Sequence, residues 1–200
     1  EDWVTARSVN HSAFTTLLPP SPSARPRTLF YISKACPVEV NLRLDLPLDG
    51  DLVAVDVVLD RYTLLLVNIY NQKPQHAASS SEPWTVERSL TSITINQPSI
   101  ICGDFNAHHP WWDPAVTTPQ RSDALVDWTE ENNLSLLNPP GVGTYYISAD
   151  RKSVLDLAFA SPDLAECISG WTLVEETGSD HDAVCFNVNM PTAQQPNPLH

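Results

Sequence analysis

The sequence predicts an α+β fold in which two packed β-sheets carry helices on their outer sides. Short runs rich in Val, Ile, Leu, Thr and Tyr recur along most of the chain. Only two stretches carry helix-start chemistry, and both lie between strand-like runs. Eighteen Pro against six Gly favour turns and strand edges over long helices. Two hundred residues at 42% hydrophobic content make one ordinary domain with a real core, and six Trp help to fill it. No internal repeat and no linker of domain size interrupts the pattern.

Residues 28–33, 39–44, 52–59 and 62–70 read as four successive strands, with Asp60 and Arg61 as the tight link between the last two. Residues 64–67 are apolar without alternation, as in a strand covered on both faces. A polar, Ser-rich loop follows from 76 to 83. Pro83 or Trp84 then opens a helix predicted to run to about Asn96, with Ser81 or Glu82 near its cap. An apolar strand, 99–102, comes next. Thr118 is predicted to cap a second helix with Pro119 at its first position, Leu125 and Trp128 forming its inward stripe. Residues 134–137 form a strand, and Pro139, Pro140 and Gly141 a turn. Segments 144–147 and 153–160 flank the polar loop 148–152 and read as a hairpin. Residues 168–175 and 183–188 are the last strands, and the polar, Pro-rich 191–200 is expected to be a disordered tail.

The net charge of −13 has the wrong sign for a protein held to nucleic acid by its overall charge. A polyanionic partner must be met by a local patch, by bound cations, or by both. Cys36, Cys102, Cys167 and Cys185 show no CxxC spacing, which argues against zinc. Cys102 and Cys185 lie in apolar runs and are expected to be buried. No run is apolar for long enough to span a membrane.

The chemistry concentrates at residues 101–109. The strand stops at Gly103 and delivers Asp104 and Asn106 to one side, while Phe105 turns into the core. A carboxylate and an amide together at a strand end suit a metal-bound hydrolytic site. Asp156 shares a strand face with Val154 and Ala158, and a lone carboxylate there is costly unless paired. It either caps a structural hydrogen-bond network or orients a cation or an imidazole. His181, between Asp180 and Asp182 at a strand entrance, offers that imidazole, whose tautomer and raised pKa Asp156 would set. Tyr70 ends an apolar strand with Asn68 two residues back on the same face. Spacing alone makes it a half-buried aromatic at a sheet edge. His108 and His109 are loop residues within reach of a phosphate. Tyr145, Tyr146, Arg151 and Lys152 mark a hairpin tip that is either ordinary or shaped to enter a DNA groove.

Four motifs occur in order: Val67-Asn68-Ile69-Tyr70, Gly103-Asp104-Phe105-Asn106, Leu155-Asp156-Leu157-Ala158-Phe159 and Ser179-Asp180-His181. With them the chain resembles the endonuclease/exonuclease/phosphatase superfamily, which includes pancreatic deoxyribonucleases and abasic-site endonucleases. It looks most like the endonuclease domain of non-LTR (LINE-type) retrotransposons. The stretch from Gly103 to Trp112, the run Arg25-Pro26-Arg27-Thr28-Leu29-Phe30-Tyr31, the segment from Asp127 to Leu134 and the hairpin after Thr144 carry that likeness, which reaches to about residue 189. The resemblance implies a four-layer α/β/β/α sandwich of two mixed sheets over residues 1–190, lacking its first strand, because the family has a strand ahead of its metal-binding Glu.

The resemblance also assigns roles. Asp104 activates or binds the attacking water, and Asn106 holds Asp104 and the phosphate. Tyr70 reaches a phosphate oxygen, Asp156 orients His181, and His181 bonds the scissile phosphate or acts as base. Glu1, in the context Glu1-Asp2-Trp3, and Asp180 bind the metal, and Asn68, His108, Tyr145 and Arg151 contact substrate. The implied activity is an Mg²⁺-dependent phosphodiesterase, with Mn²⁺ as the alternative ion, that nicks DNA to a 3′-hydroxyl and a 5′-phosphate. A fused or associated reverse transcriptase in the parent element, no membrane partner and an intracellular, nuclear location go with it. The alternatives are a phosphoesterase acting on inositol phosphates or phospholipid head groups, and a catalytically dead retroelement fragment that keeps only the fold.

Overall fold

The computed structural model describes residues 11–20, 25–47, 49–60, 62–74, 77–175 and 178–190. Glu1 and the tail 191–200 lie outside them. In chain order the elements are β1 (Phe14–Leu17), β2 (Phe30–Ser33), β3 (Glu39–Leu42), β4 (Leu52–Leu59), β5 (Tyr62–Tyr70), α1 (Thr85–Arg88), β6 (Ser99–Asp104), α2 (Asp123–Glu131), β7 (Ser135–Leu136), β8 (Tyr145–Ser148), β9 (Arg151–Ser153), β10 (Asp156–Ala160), α3 (Pro162–Ala165), β11 (Ile168–Val174) and β12 (Ala183–Val188). A 3₁₀ turn, Leu90–Ser92, follows α1.

A six-stranded mixed sheet in the order β3-β4-β5-β6-β10-β7 forms the centre. β5 and β6 run parallel, and the chain between them crosses over through α1 and the 3₁₀ turn, as parallel neighbours require. Alternation along β4 and β5 sends apolar side chains to both faces. Leu52, Ala54, Leu65, Val67 and Ile69 pack with Val86, Leu90, Leu125 and Trp128 from the helical side. Val55, Val57, Leu64, Ile100 and Ala160 on the other face meet Leu17 and Phe30 of the β1–β2 pair and Ile168, Phe186 and Val188 of the β11–β12 pair. Helices outside and sheet on sheet within are the α/β sandwich that the sequence predicts. Among the described residues the second layer consists of separate two-stranded pairs rather than one continuous sheet.

Several boundaries differ from the sequence prediction. The helix expected to reach Asn96 stops at Arg88. Ser89 leaves helical geometry, and its hydroxyl donates to Asp49 Oδ2 at 2.5 Å, a tertiary bond that outcompetes the next helical turn. The second helix starts not at Pro119 but after Ser122, because Gln120 pairs with His108 and Arg121 adopts a left-handed φ of 55°. The hairpin joins β8 to β9, whereas β10 peels away into the main sheet between β6 and β7. β1 and α3 carried too little periodicity to be read. Cys185 is exposed, contrary to expectation, because β12 half-buries only alternate residues and Cys185 falls on its outer side; Cys102 is half-buried, and all four cysteines are free. Among the described residues no helix is long and apolar enough to cross a membrane.

Candidate active site

The site forms at the C-terminal ends of β5 and β6, on the side of the sheet that faces β12. Tyr70 and Asp104 are register partners across the parallel pair, and Asp104 and Asp156 across the antiparallel one. Register partners share a face, so three strands bring one phenol and two carboxylates to one rim. Close approach of β5 and β6 depends on Gly103, whose φ is 145° and whose Cβ would lie 1.9 Å from the Ile69 carbonyl oxygen.

Beyond Asp104 the extended chain ends. Phe105 is fully buried in edge contact with Phe159, as the alternation predicts. Asn106 then takes a left-handed φ of 46°. This turn, not strand alternation, aims Asn106 at Asp104. Its N–H donates to Asp104 Oδ1 at 3.0 Å, and its amide to Asp104 Oδ2 at 3.3 Å and to the Asn71 carbonyl at 3.2 Å. No spacing or motif pointed to Arg121, which secures this turn. Arg121 donates Nε to the Asn106 carbonyl at 2.8 Å while its guanidinium covers the Trp84 ring at 4.7 Å.

Thr144 is likewise invisible to spacing arguments. It is fully buried, and its hydroxyl accepts the N–H groups of Leu155 and Asp156 at 3.1 and 3.0 Å. Its carbonyl accepts the Asp182 N–H at 2.8 Å. One residue, through its hydroxyl and its carbonyl, thus ties the start of β10 to the entrance of β12. Across that tie His181 Nδ1 donates to Asp156 Oδ2 at 2.8 Å. The Tyr145 ring lies 4.8 Å from the His181 ring. Lys152 braces the hairpin, bonding the buried Asp182 at 2.7 Å and standing 4.2 Å from the Tyr146 ring.

Burial pushes the Asp104 carboxyl up to about 6, with the Asp156 charge adding to it; the Asn106 N–H and His181 pull the other way, and Asp180 adds a smaller push. Burial alone lowers the His181 imidazole. The bond to Asp156 and the charges of Asp156, Asp104 and Asp180 outweigh it, so the pKa stands above its ordinary value. Asp104, Asp156, Asp180 and His181 therefore share one electrostatic environment. It sets acceptor carboxylates around an imidazole whose hold on its proton is raised, an arrangement able to align water and to donate a hydrogen bond to an anion.

The remaining predicted residues sit further out. The Asn68 amide donates to the Leu29 carbonyl at 3.0 Å. His108 Nδ1 lies 3.4 Å from the Ser153 hydroxyl, and burial with the Arg121 charge holds its pKa down. Arg151 is exposed on the hairpin. Among the described residues no three His, Cys, Asp or Glu side chains group tightly enough to hold a metal.

The sequence matches the endonuclease-reverse transcriptase family over residues 64–185, more than half of the chain. The chain belongs to that family. It is a nuclease family within the endonuclease/exonuclease/phosphatase superfamily. No curated protein matches this chain. Among solved structures it is similar to the endonuclease domain of TRAS1, a telomere-specific non-LTR retrotransposon, with TM-score 0.67 and 22% identity over 90% of this chain and 80% of that one. The AP endonuclease LMAP from Leishmania major gives TM-score 0.59 and 13% identity over 90% and 72%. The 3′-5′ exonuclease NExo from Neisseria meningitidis gives 0.54 and 18% over 81% and 75%. At these identities the likenesses establish the endonuclease-reverse transcriptase chain's fold.

Proposed function

We propose that this chain is a divalent-metal phosphodiesterase that nicks DNA and leaves a 3′-hydroxyl and a 5′-phosphate. The observation that carries the reading is the Asp156–His181 bond at 2.8 Å on the strand whose register partner is Asp104. Asp104, fixed by the two donors of Asn106, takes the position of a water-aligning carboxylate. Asp156 holds the His181 proton at Nδ1 and stabilises the imidazolium, which hydrogen-bonds the phosphate. Tyr70, at the end of the neighbouring strand, donates its phenol to a phosphate oxygen.

Mg²⁺, with Mn²⁺ as the alternative, is the ion this reading calls for. Three carboxylates crowd one imidazole, and the rise of the Asp104 carboxyl to about 6 reflects burial and negative charge that a cation would relieve. Asp180 and Glu1, the latter outside the described residues, are the side chains that would hold it. When bound, the ion polarises the phosphoryl oxygens and eases departure of the 3′-oxygen. The 3′-hydroxyl product suits priming by a reverse transcriptase fused to or associated with the same element.

Supercoiled plasmid tests the reading. Nicking is expected with Mg²⁺, none with chelator, and none by the His181→Ala variant with its unfolding temperature kept. Equal nicking in chelator contradicts the metal role. Cleavage of inositol phosphates with intact plasmid moves the substrate to the head-group class.

A further inference from the structure

Tyr70 is held from three sides by groups with no part in the proposed reaction. Its N–H donates to the Asp51 carbonyl at 2.9 Å. Its carbonyl accepts the Thr85 hydroxyl at 2.8 Å. Its ring lies 5.1 Å from the Arg27 guanidinium carbon. Arg27 is itself clamped: Nε donates to Asp51 Oδ1 at 2.5 Å, and Nη2 to Asp51 Oδ2 and, at 2.7 Å, to the Lys73 carbonyl. The Asp51 side chain is 5% exposed and also accepts Arg88 Nη2 at 2.6 Å. Arg88 continues to Asp49 at 2.7 and 3.0 Å, and Asp49 accepts the Ser89 hydroxyl.

This network alternates in sign, two guanidiniums against two carboxylates. It therefore offers little net charge to steer a polyanion, and Arg27 is spoken for by Asp51. What it offers is geometry. A guanidinium gripped in bidentate fashion is a fixed plane, and an aromatic ring packed on it loses rotamer freedom before substrate arrives. Asp51 grips Tyr70 twice, once through its own carbonyl and once through Arg27.

We propose that Arg27 is a positioning residue that, clamped by Asp51, fixes the Tyr70 ring beside Asp104. The inference rests on the reading in which Tyr70 reaches a substrate phosphate, and it adds the device that orders that phenol. A lysine at position 27 keeps the charge and loses the plane, so it fails where a mere counter-ion would suffice.

The test is a double-mutant cycle in plasmid nicking with Mg²⁺. Arg27→Gln is expected to lower kcat/KM about 10-fold in the Tyr70 protein and less than about twofold in the Tyr70→Phe protein. Equal losses in both backgrounds reveal a merely structural arginine and overturn the proposal, as does no loss in the first. Arg27→Lys should match Arg27→Gln; full activity in the lysine variant also overturns it. It provides the second variant if the glutamine protein does not unfold cooperatively. A readout independent of nicking is the Tyr70 ring resonance in ¹³C-tyrosine-labelled protein, identified by its loss in Tyr70→Phe. Its shift and line width should change in either Arg27 variant. If the parent protein nicks nothing, the phosphodiesterase reading fails while this spectrum still judges the clamp, and an unmoved resonance refutes it.

Discussion

Replacing Asp156 by Asn separates the chemistry of the site from its stability. The substitution keeps the shape of the side chain and removes its charge. A hydrogen bond to a charged group contributes about 1.5–3 kcal/mol in a protected setting. Here the Asp156 and His181 side chains are 22% and 28% exposed, so solvent screening cuts the stability cost to about 1 kcal/mol. The rate should suffer more. Without Asp156 the imidazole loses the partner that fixes its tautomer and raises its pKa, and a positioned acid or base is worth about 10²–10⁴-fold. A loss of about 100-fold in nicking equals about 2.7 kcal/mol of barrier, well beyond the stability change. The assays are single-turnover nicking of supercoiled plasmid, urea unfolding, and an NMR titration of His181, whose pKa should fall. Asp104 loses a repelling neighbour, so its carboxyl should also titrate lower. A variant that nicks within about threefold of the parent rate refutes the reasoning. So does one whose rate loss is matched by an equal loss of folding free energy.

Arg121→Ala frees the Asn106 carbonyl and the Trp84 face, and nicking should fall about 10-fold with little change in unfolding temperature; an unchanged rate removes Arg121 from the site. Gly103→Ala drives a methyl to 1.9 Å from the Ile69 carbonyl oxygen, so β5 and β6 must separate, at a cost above about 3 kcal/mol in denaturant unfolding. A near-neutral alanine variant means that the strands do not approach so closely. Asp49 supplies a pH test. Burial alone raises its carboxyl, but bonds from Arg88, Ser89 and the Asp51 N–H, together with the Arg88 charge, outweigh it and hold the pKa below its ordinary value. A lowered carboxylate stabilises the fold fully above its ordinary value near 3.8 and loses that contribution as pH falls through the folded value. Asp49→Asn should therefore cost about 2 kcal/mol at neutral pH, with the gap to the parent narrowing toward pH 3. A gap independent of pH contradicts this.

The two longest strands were legible residue for residue. Leu52–Leu59 and Tyr62–Tyr70 are apolar, β-branched-rich runs of strand length with a two-residue link between them in the sequence. Asp104 was legible as the carboxylate at a strand end, and the Asp156 side chain announced its need for a partner by standing on an apolar face. Arg121 was not, because its role depends on a left-handed turn at Asn106 that arises only when Asn71, Asp104 and Arg121 all contact it. The early end of α1 was hidden for the same reason: Ser89 bonds to Asp49, 40 positions earlier. The split of the predicted hairpin hangs on one hydroxyl, Thr144, choosing the N–H groups of Leu155 and Asp156.

The sequence by itself determined which side chains face which way, because alternation is a property of neighbouring residues. It also determined which polar groups would be costly if left alone. Tertiary structure decided who answers them. His181 meets Asp156 across 25 positions because β12 packs on the face of the main sheet with its entrance beside the start of β10, and that packing is the sum of many apolar contacts rather than any local preference.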